Sequence, residues 1–228
     1  MEDRDQTLLL LDLDGTLIDT PHYQAWDYAA RQFGVDDLSY AEYVAYIAGR
    51  PRLEGASRLI ELKRNCRRVD TRRPQDSWVL AESKQAEFLR LSEDTRLFDD
   101  ALRLLHRLET SQLRVRFYTA SENAARLFTT ALRRSGKSLC PQQSVVQQQE
   151  GQTRGELFLQ LAGESAAAAV TLVDDAPHAV DAACAIGLSA YQIRRSPFQP
   201  PPTHSGARIL PSLDCIPVPI NVTVGGLK

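Results

Sequence analysis

The sequence predicts an α/β protein, a doubly wound and mainly parallel sheet carrying an inserted α-helical cap domain. Three observations predict it. Short apolar runs alternate with amphipathic helical stretches. Three of those runs end in acidic or hydroxyl residues. One long, almost wholly helical insertion separates the first run from the second.

The first run, Thr7–Leu13, has the continuous apolar character of a strand buried on both faces. The insertion follows, from Thr20 to Asp94. Thr20 is expected to cap its first helix, with Pro21 in the first turn and Trp26, Ala29, Ala30 and Phe33 at helical spacing. Further helices are expected at Tyr40–Ala48, Leu53–Asn65 and Ser77–Leu91. An insertion of this length exceeds an ordinary crossover and reads as a small domain of its own.

The remaining strands are expected at Leu113–Thr119, Ser144–Gln147, Ala169–Asp174 and Ser189–Ile193, with helical patterns between them. Ser196–Gly206 is rich in proline and reads as extended or irregular, and Ala207–Leu210 as an edge strand. Cys215–Lys228 reads as a loosely held end. The expected division is a core of residues 1–19 and 95–215, a cap of 20–94 and a tail of 216–228.

Composition narrows the function. With 43% hydrophobic and 25% charged residues the chain is an ordinary globular protein, far from the composition of a disordered one. A net charge of −2 supplies no general attraction to nucleic acid or to an anionic membrane, so small-molecule chemistry is the starting expectation. No apolar run approaches the ~20 residues needed to span a bilayer. Cys66, Cys140, Cys184 and Cys215 are widely separated and form no C-x-x-C pair. The charged N-terminus lacks the features of a secretion signal. A cytoplasmic or other reducing compartment is expected.

The chemistry concentrates in Asp12-Leu-Asp-Gly-Thr-Leu-Ile-Asp-Thr20. Asp12 and Asp14 lie two residues apart as a strand ends, and both project to one side before the chain turns at Gly15. Asp174 and Asp175 end another strand, and Thr119 and Ser121 follow a third. Ligands of open α/β sheets bind beyond the carboxyl ends of the strands, so these groups are expected to meet. Two like charges ~4 Å apart repel by about 4 kcal/mol at an effective dielectric near 20. Mg²⁺ relieves such crowding and suits a site of a few carboxylates, waters and phosphate oxygens.

The D-x-D-G-T motif, in order with Thr119 and Asp174-Asp175, is similar to that of the haloacid dehalogenase superfamily. The resemblance covers most of the chain and implies a Rossmann-like core. It implies Asp12 as nucleophile, Asp14 as general acid/base, and Thr119, Ala120 and Ser121 as the phosphoryl-binding segment. It further implies a Mg²⁺ site formed by Asp12, Asp14, Asp174 and Asp175, with Asp175 the direct ligand and Asp174 an outer-shell or second acid. The lysine usual after the third strand is missing. Thr153-Arg154-Gly-Glu-Leu157 resembles its Lys-Gly-Glu form, which makes Arg154 the substitute.

In the insertion, Tyr46-Ile-Ala-Gly-Arg-Pro-Arg52-Leu-Glu-Gly, Ser83-Lys84-Gln-Ala-Glu and His22-Tyr-Gln-Ala-Trp26 resemble the β-phosphoglucomutase-like branch. That resemblance implies substrate contacts from Arg52, Lys84 and His22. The expected activity is a Mg²⁺-dependent phosphatase working on a small phosphorylated metabolite through an aspartyl phosphate. Asp14 favours phosphate-ester chemistry, since members that dehalogenate or cleave phosphonates lack an aspartate there. A sugar phosphomutase is the alternative. A weakly active or non-catalytic binding protein is a further one, motivated by the missing lysine. A monomer or weak homodimer is expected.

Overall fold

The computed structural model describes residues 7–64, 75–111, 113–137, 145–149 and 151–218. In chain order the elements are β1 (Leu8–Asp12), β2 (Ile18–Asp19), α1 (His22–Gln32), α2 (Tyr40–Tyr46), α3 (Arg52–Arg64) and α4 (Gln75–Leu91). They continue as β3 (Arg96–Leu97), α5 (Asp99–Glu109), β4 (Arg114–Thr119), α6 (Ala124–Arg134) and β5 (Val145–Gln147). The last are α7 (Arg154–Ala162), β6 (Val170–Asp174), α8 (Pro177–Ala185), β7 (Ser189–Ile193) and β8 (Arg208–Leu210). The ends expected at Asn65 and Ser144 lie outside the described residues, as do Cys66, Cys140 and residues 219–228.

Six of the eight described strands form one sheet in the order β5-β4-β1-β6-β7-β8, in which every neighbouring pair is parallel, and β2 and β3 form a separate antiparallel pair. β1 is central, and Leu8 through Leu11 are buried. A parallel sheet survives only when helices cover both faces. The helices show the pattern this requires: α5 buries Ala101, Leu104, Leu105 and Leu108, and α6 buries Leu127, Phe128, Ala131 and Leu132. Leu8, Leu10, Leu172, Phe158 and Val180 share one core cluster with α7 and α8. Period-2 alternation sends Tyr118 to that side, against Phe158, while Phe117 packs on Phe128 of α6. Each fully buried Leu or Phe contributes about 1.5–3 kcal/mol, so the central strand anchors the unit.

The order changes direction at β1: the chain moves outward to β4 and β5 on one side, and to β6, β7 and β8 on the other. Helices diverge at such a switch point and leave a crevice beyond the strand ends. Asp12, Thr119 and Asp174 are the last residues of β1, β4 and β6.

The chain divides into two compact units, one of residues 1–19, 96–195 and 201–228, the other of 20–95 and 196–200. The second unit is helical. Trp26, Ala29, Ala30, Val35, Leu38, Ile47, Leu59 and Leu80 form its core. Gly55 lets the Trp26 ring approach, since a Cβ there would stand 3.0 Å from Trp26 Cζ2. α2 opens with a capping box in which Ser39 Oγ accepts from the Glu42 N–H and Glu42 Oε2 accepts from the Ser39 N–H.

One local expectation is corrected. Thr20 does not cap α1: Pro21 occupies the capping position with φ −79 and ψ 44, and its side chain has no group that could accept a cap hydrogen bond, while the Thr20 carbonyl accepts from the His22 N–H at 2.8 Å. Of the end expected to be loosely held, residues 219–228 lie outside the described residues, while Ile216 is buried beside the buried Leu213. Arg107 holds them by donating to the carbonyls of Leu213 at 2.8 Å and Ile216 at 3.0 Å.

Candidate active site

The site lies within the sheet unit and begins at the tight turn that follows β1. Leu17 and Ile18 donate their N–H groups to the Leu13 carbonyl at 2.9 and 3.0 Å, and Gly15 donates to Ile18 O at 3.0 Å. Gly15 has φ +73, a conformation that favours glycine. Space demands glycine as well, because a Cβ there would fall 2.6 Å from Asp175 Oδ2. The buried Thr16 accepts from the Asp175 N–H at 3.0 Å through Oγ1. The first motif and the paired acids are therefore stitched together directly.

Carboxylate oxygens of Asp12, Asp174 and Asp175 lie within 4.8 Å of one another. Burial pushes the Asp12 carboxyl well above the usual carboxylate range, and the charges of Asp174, Asp175 and Asp14 push the same way in falling order. Arg154 opposes them. Asp175 is raised too, first by burial, then by Asp174 and Asp14, with Arg195 acting against the rise.

Asp14 is half-buried beside this group and accepts from Thr119 Oγ1 at 3.3 Å. Thr119 Oγ1 also accepts from the Ser121 N–H at 2.9 Å, which fixes the bend through Ala120. Arg154 is the first residue of α7, behind a capping box of Thr153 and Glu156. Its Nη1 is buried and has no hydrogen-bond partner among the described residues. A buried guanidinium N–H left in this state is costly, and its charge acts on Asp12, so it is a ready donor to an anion beside that carboxylate.

The oxygens fit a divalent cation. The donor set is all carboxylate and gathered within 4.8 Å, which suits a hard ion such as Mg²⁺. A cation there would offset the mutual repulsion that adds to burial in raising their affinity for protons. Asp12, Asp174 and Asp175 are the residues that would hold it; Asp14, expected as a fourth ligand, is not one of these three gathered carboxylates.

Sequence reasoning missed two supports. Tyr118, buried in β4, donates to Asp174 Oδ2 at 2.6 Å, while the Ala176 N–H donates to Oδ1 at 2.8 Å. Alternation along β4 placed Tyr118 and Thr119 on opposite faces, a signal that Tyr118 points into the core. Arg195 donates to the Gly15 and Thr16 carbonyls, and nothing local marks it.

Within the helical unit, the structure brings His22 and Lys84 together. Lys84 Nζ stands 3.0 Å from His22 Nδ1 and 4.3 Å from the Phe88 ring centre, and the His22 ring stacks on Phe88 at 4.4 Å. Lys84 is buried. Arg52 points to a different partner, with Nη2 3.6 Å from Glu82 Oε1.

Among the described residues no helix is long and apolar enough to cross a membrane. No family model and no curated protein matches the chain. Solved structures do. It is similar to an archaeal β-phosphoglucomutase from Pyrococcus sp. strain ST 04, at 22% identity over 92% of this chain and 94% of that one, with a TM-score of 0.66. A haloacid dehalogenase (HAD) family hydrolase from Deinococcus radiodurans R1, solved with bound phosphate and sodium, matches at 19% identity over 93% of each chain, with a TM-score of 0.66. A predicted phosphoglycolate phosphatase from Haemophilus somnus 129PT matches at 13% identity over 85% and 87%, with a TM-score of 0.67. The chain has the haloacid dehalogenase-like fold, with its α/β Rossmann-like core.

Proposed function

We propose that this chain is a divalent-metal-dependent phosphoryl-transfer enzyme, and specifically a phosphatase for a small phosphorylated metabolite. One observation carries the reading: Asp12 sits among three further acids, and the buried Arg154 Nη1 beside them has no hydrogen-bond partner among the described residues. Such a site has cationic and nucleophilic groups for a phosphoryl group and an all-oxygen nest for Mg²⁺.

In this reading an Asp12 oxygen attacks phosphorus, and the bond from phosphorus to the ester oxygen breaks. Asp14 gives its proton to that departing oxygen and then takes one from the water that attacks the aspartyl phosphate. Inorganic phosphate leaves and Asp12 is restored. Thr119 and Arg154 donate to the phosphoryl oxygens, with the Ala120 and Ser121 segment around them. Thr119 already touches Asp14, so phosphate binding and proton transfer share a hydrogen-bond network. Mg²⁺, when bound, supplies charge neutralisation between Asp12 and the phosphoryl oxygens. The helical unit serves as the cap, and the enzyme works in the cytoplasm.

Release of phosphate from a panel of phosphorylated metabolites, with and without Mg²⁺, tests the proposal. Metal-dependent release by the parent and none by Asp12→Asn is expected; equal rates for both would refute Asp12 as the nucleophile. A sugar phosphomutase is the second reading, favoured by the His22–Lys84 cluster, which gathers two of the three residues implied to contact a sugar phosphate. Conversion of β-glucose 1-phosphate to glucose 6-phosphate faster than phosphate release would replace the hydrolase with the mutase.

A further inference from the structure

Three distant stretches of the sheet unit meet at one guanidinium. Arg195, two residues beyond β7, donates from Nε to Gly15 O at 3.3 Å and from Nη2 to Thr16 O at 2.5 Å. Its Nη1 donates to Asp100 Oδ2 at 2.8 Å, and its flat face lies over the Phe98 ring at 4.0 Å. Asp100 is buried and also accepts from the Leu213 N–H at 2.9 Å and from Ser212 Oγ at 3.3 Å. Phe98 in turn donates its N–H to Leu17 O at 3.0 Å.

The turn needs these partners. The N–H groups of Gly15, Thr16, Leu17 and Ile18 all bond within residues 13–18. The carbonyls of Gly15 and Thr16 face the other way and need donors from elsewhere in the fold. A guanidinium spreads its N–H groups over three nitrogens in a rigid planar fork, so it reaches both carbonyls and a carboxylate that lie further apart than the donors of a single ammonium nitrogen. The same turn carries Asp14 and brings Gly15 and Thr16 against Asp175.

We propose that Arg195 is a positioning residue for the Asp12 site: it locks the Gly15–Thr16 turn, keeps Asp14 and Asp175 in place, and is itself anchored through Asp100 to the chain near Leu213. The proposal rests on the phosphoryl-transfer reading for its kinetic part. Its structural part stands without that reading.

The test compares the parent with Arg195→Met and Arg195→Lys in four measurements: kcat, KM, the Mg²⁺ midpoint from thermal melting, and amide exchange at residues 13–18. Arg195→Met should lower kcat and weaken the Mg²⁺ midpoint by about tenfold or more, as loss of a partner supporting a metal site does. KM should stay within about twofold. Arg195→Lys should restore only part of the loss, and exchange at Gly15–Leu17 should quicken in Arg195→Met while that of β6 and β7 holds. A folded Arg195→Met with parental kcat, midpoint and exchange would overturn the proposal. Should Arg195→Met not fold, Asp100→Asn replaces it; the same changes at smaller size support the clamp, and none overturns it. A parent with no turnover on the ester panel would sink the phosphatase. Exchange would then still decide the clamp, quickened in support or unchanged against it.

Discussion

Lys63 in the helical unit and Asp12 in the sheet unit are both buried charged side chains, and they are treated in opposite ways. Lys63 is matched: its Nζ lies 2.8 Å from Glu42 Oε1, 3.2 Å from the Asp37 carbonyl and 3.3 Å from Asp37 Oδ1. Burial pulls its affinity for protons down, but the hydrogen bond and charge of Glu42, followed by those of Asp37, outweigh that and raise it. Asp12 is mismatched, crowded by Asp174, Asp175 and Asp14 against the opposing charge of Arg154. A buried charge with its partner in place stabilises a fold, whereas one surrounded by its own sign costs stability and is retained for a ligand that will relieve it.

Asp12→Asn should break that contrast most sharply. It abolishes turnover in the phosphate-release assay, yet the metal-free protein should melt no lower than the parent, because a repelled charge has been removed. A clearly lower melting temperature in metal-free buffer would mean that Asp12 is matched after all.

Metal and pH form the next test. Asp12 and Asp175 have raised proton affinities when folded, so their favourable contribution is full below the unfolded carboxylate pKa, near 4, and is lost as pH rises through the folded values. Metal-free stability should therefore fall from pH 5 towards pH 8, and Mg²⁺ should restore it. At one fixed Mg²⁺ concentration, set to a hundredfold excess over the Kd at pH 8, the gain there is about 2.7 kcal/mol. For a chain of this size that is roughly 5–10 °C in Tm, larger at pH 8 than at pH 5. An equal shift at both pH values, measured by calorimetry, would contradict the account.

Lys63→Met should cost about 2 kcal/mol in denaturant unfolding, the worth of a hydrogen bond to a charged group, with no response to Mg²⁺. Smallest of all, Arg50→Ala removes an ion pair to Glu54 at 2.6 Å whose side chains are 38% and 45% exposed. Solvent screens such a pair, so stability should change by less than about 0.5 kcal/mol. A larger loss at Arg50 than at Lys63 would overturn the distinction between matched burial and surface pairing.

Much of the site was legible because its parts are local. Asp12 and Asp14 share a face through the period of a strand and a glycine turn, Thr119 ends its strand, and Arg154 opens a helix behind a capping box, all of which depend on a few consecutive residues. The parallel sheet was legible for the same reason, since apolar runs separated by amphipathic helices have few other ways to bury themselves.

Backbone dihedrals along a short segment are set by neighbouring residues, so the sequence by itself determined the strands of the parallel sheet, their order and the identity of the acids at the strand ends. It did not determine the short β2–β3 pair, which forms between residues far apart in the chain. Which side chains then meet depends on strand order, register and helix crossing, which no local pattern encodes. Tyr118 reaches Asp174 across 56 positions because β1 separates their strands at a fixed spacing, and Arg195 reaches Gly15 across 180 because β7 ends near the turn. The meeting of His22 with Lys84 across 62 positions, and the diversion of Arg52 to Glu82, were likewise decided only when helices packed. A hydrogen bond forms over a few tenths of an ångström, a precision that only the assembled tertiary structure supplies.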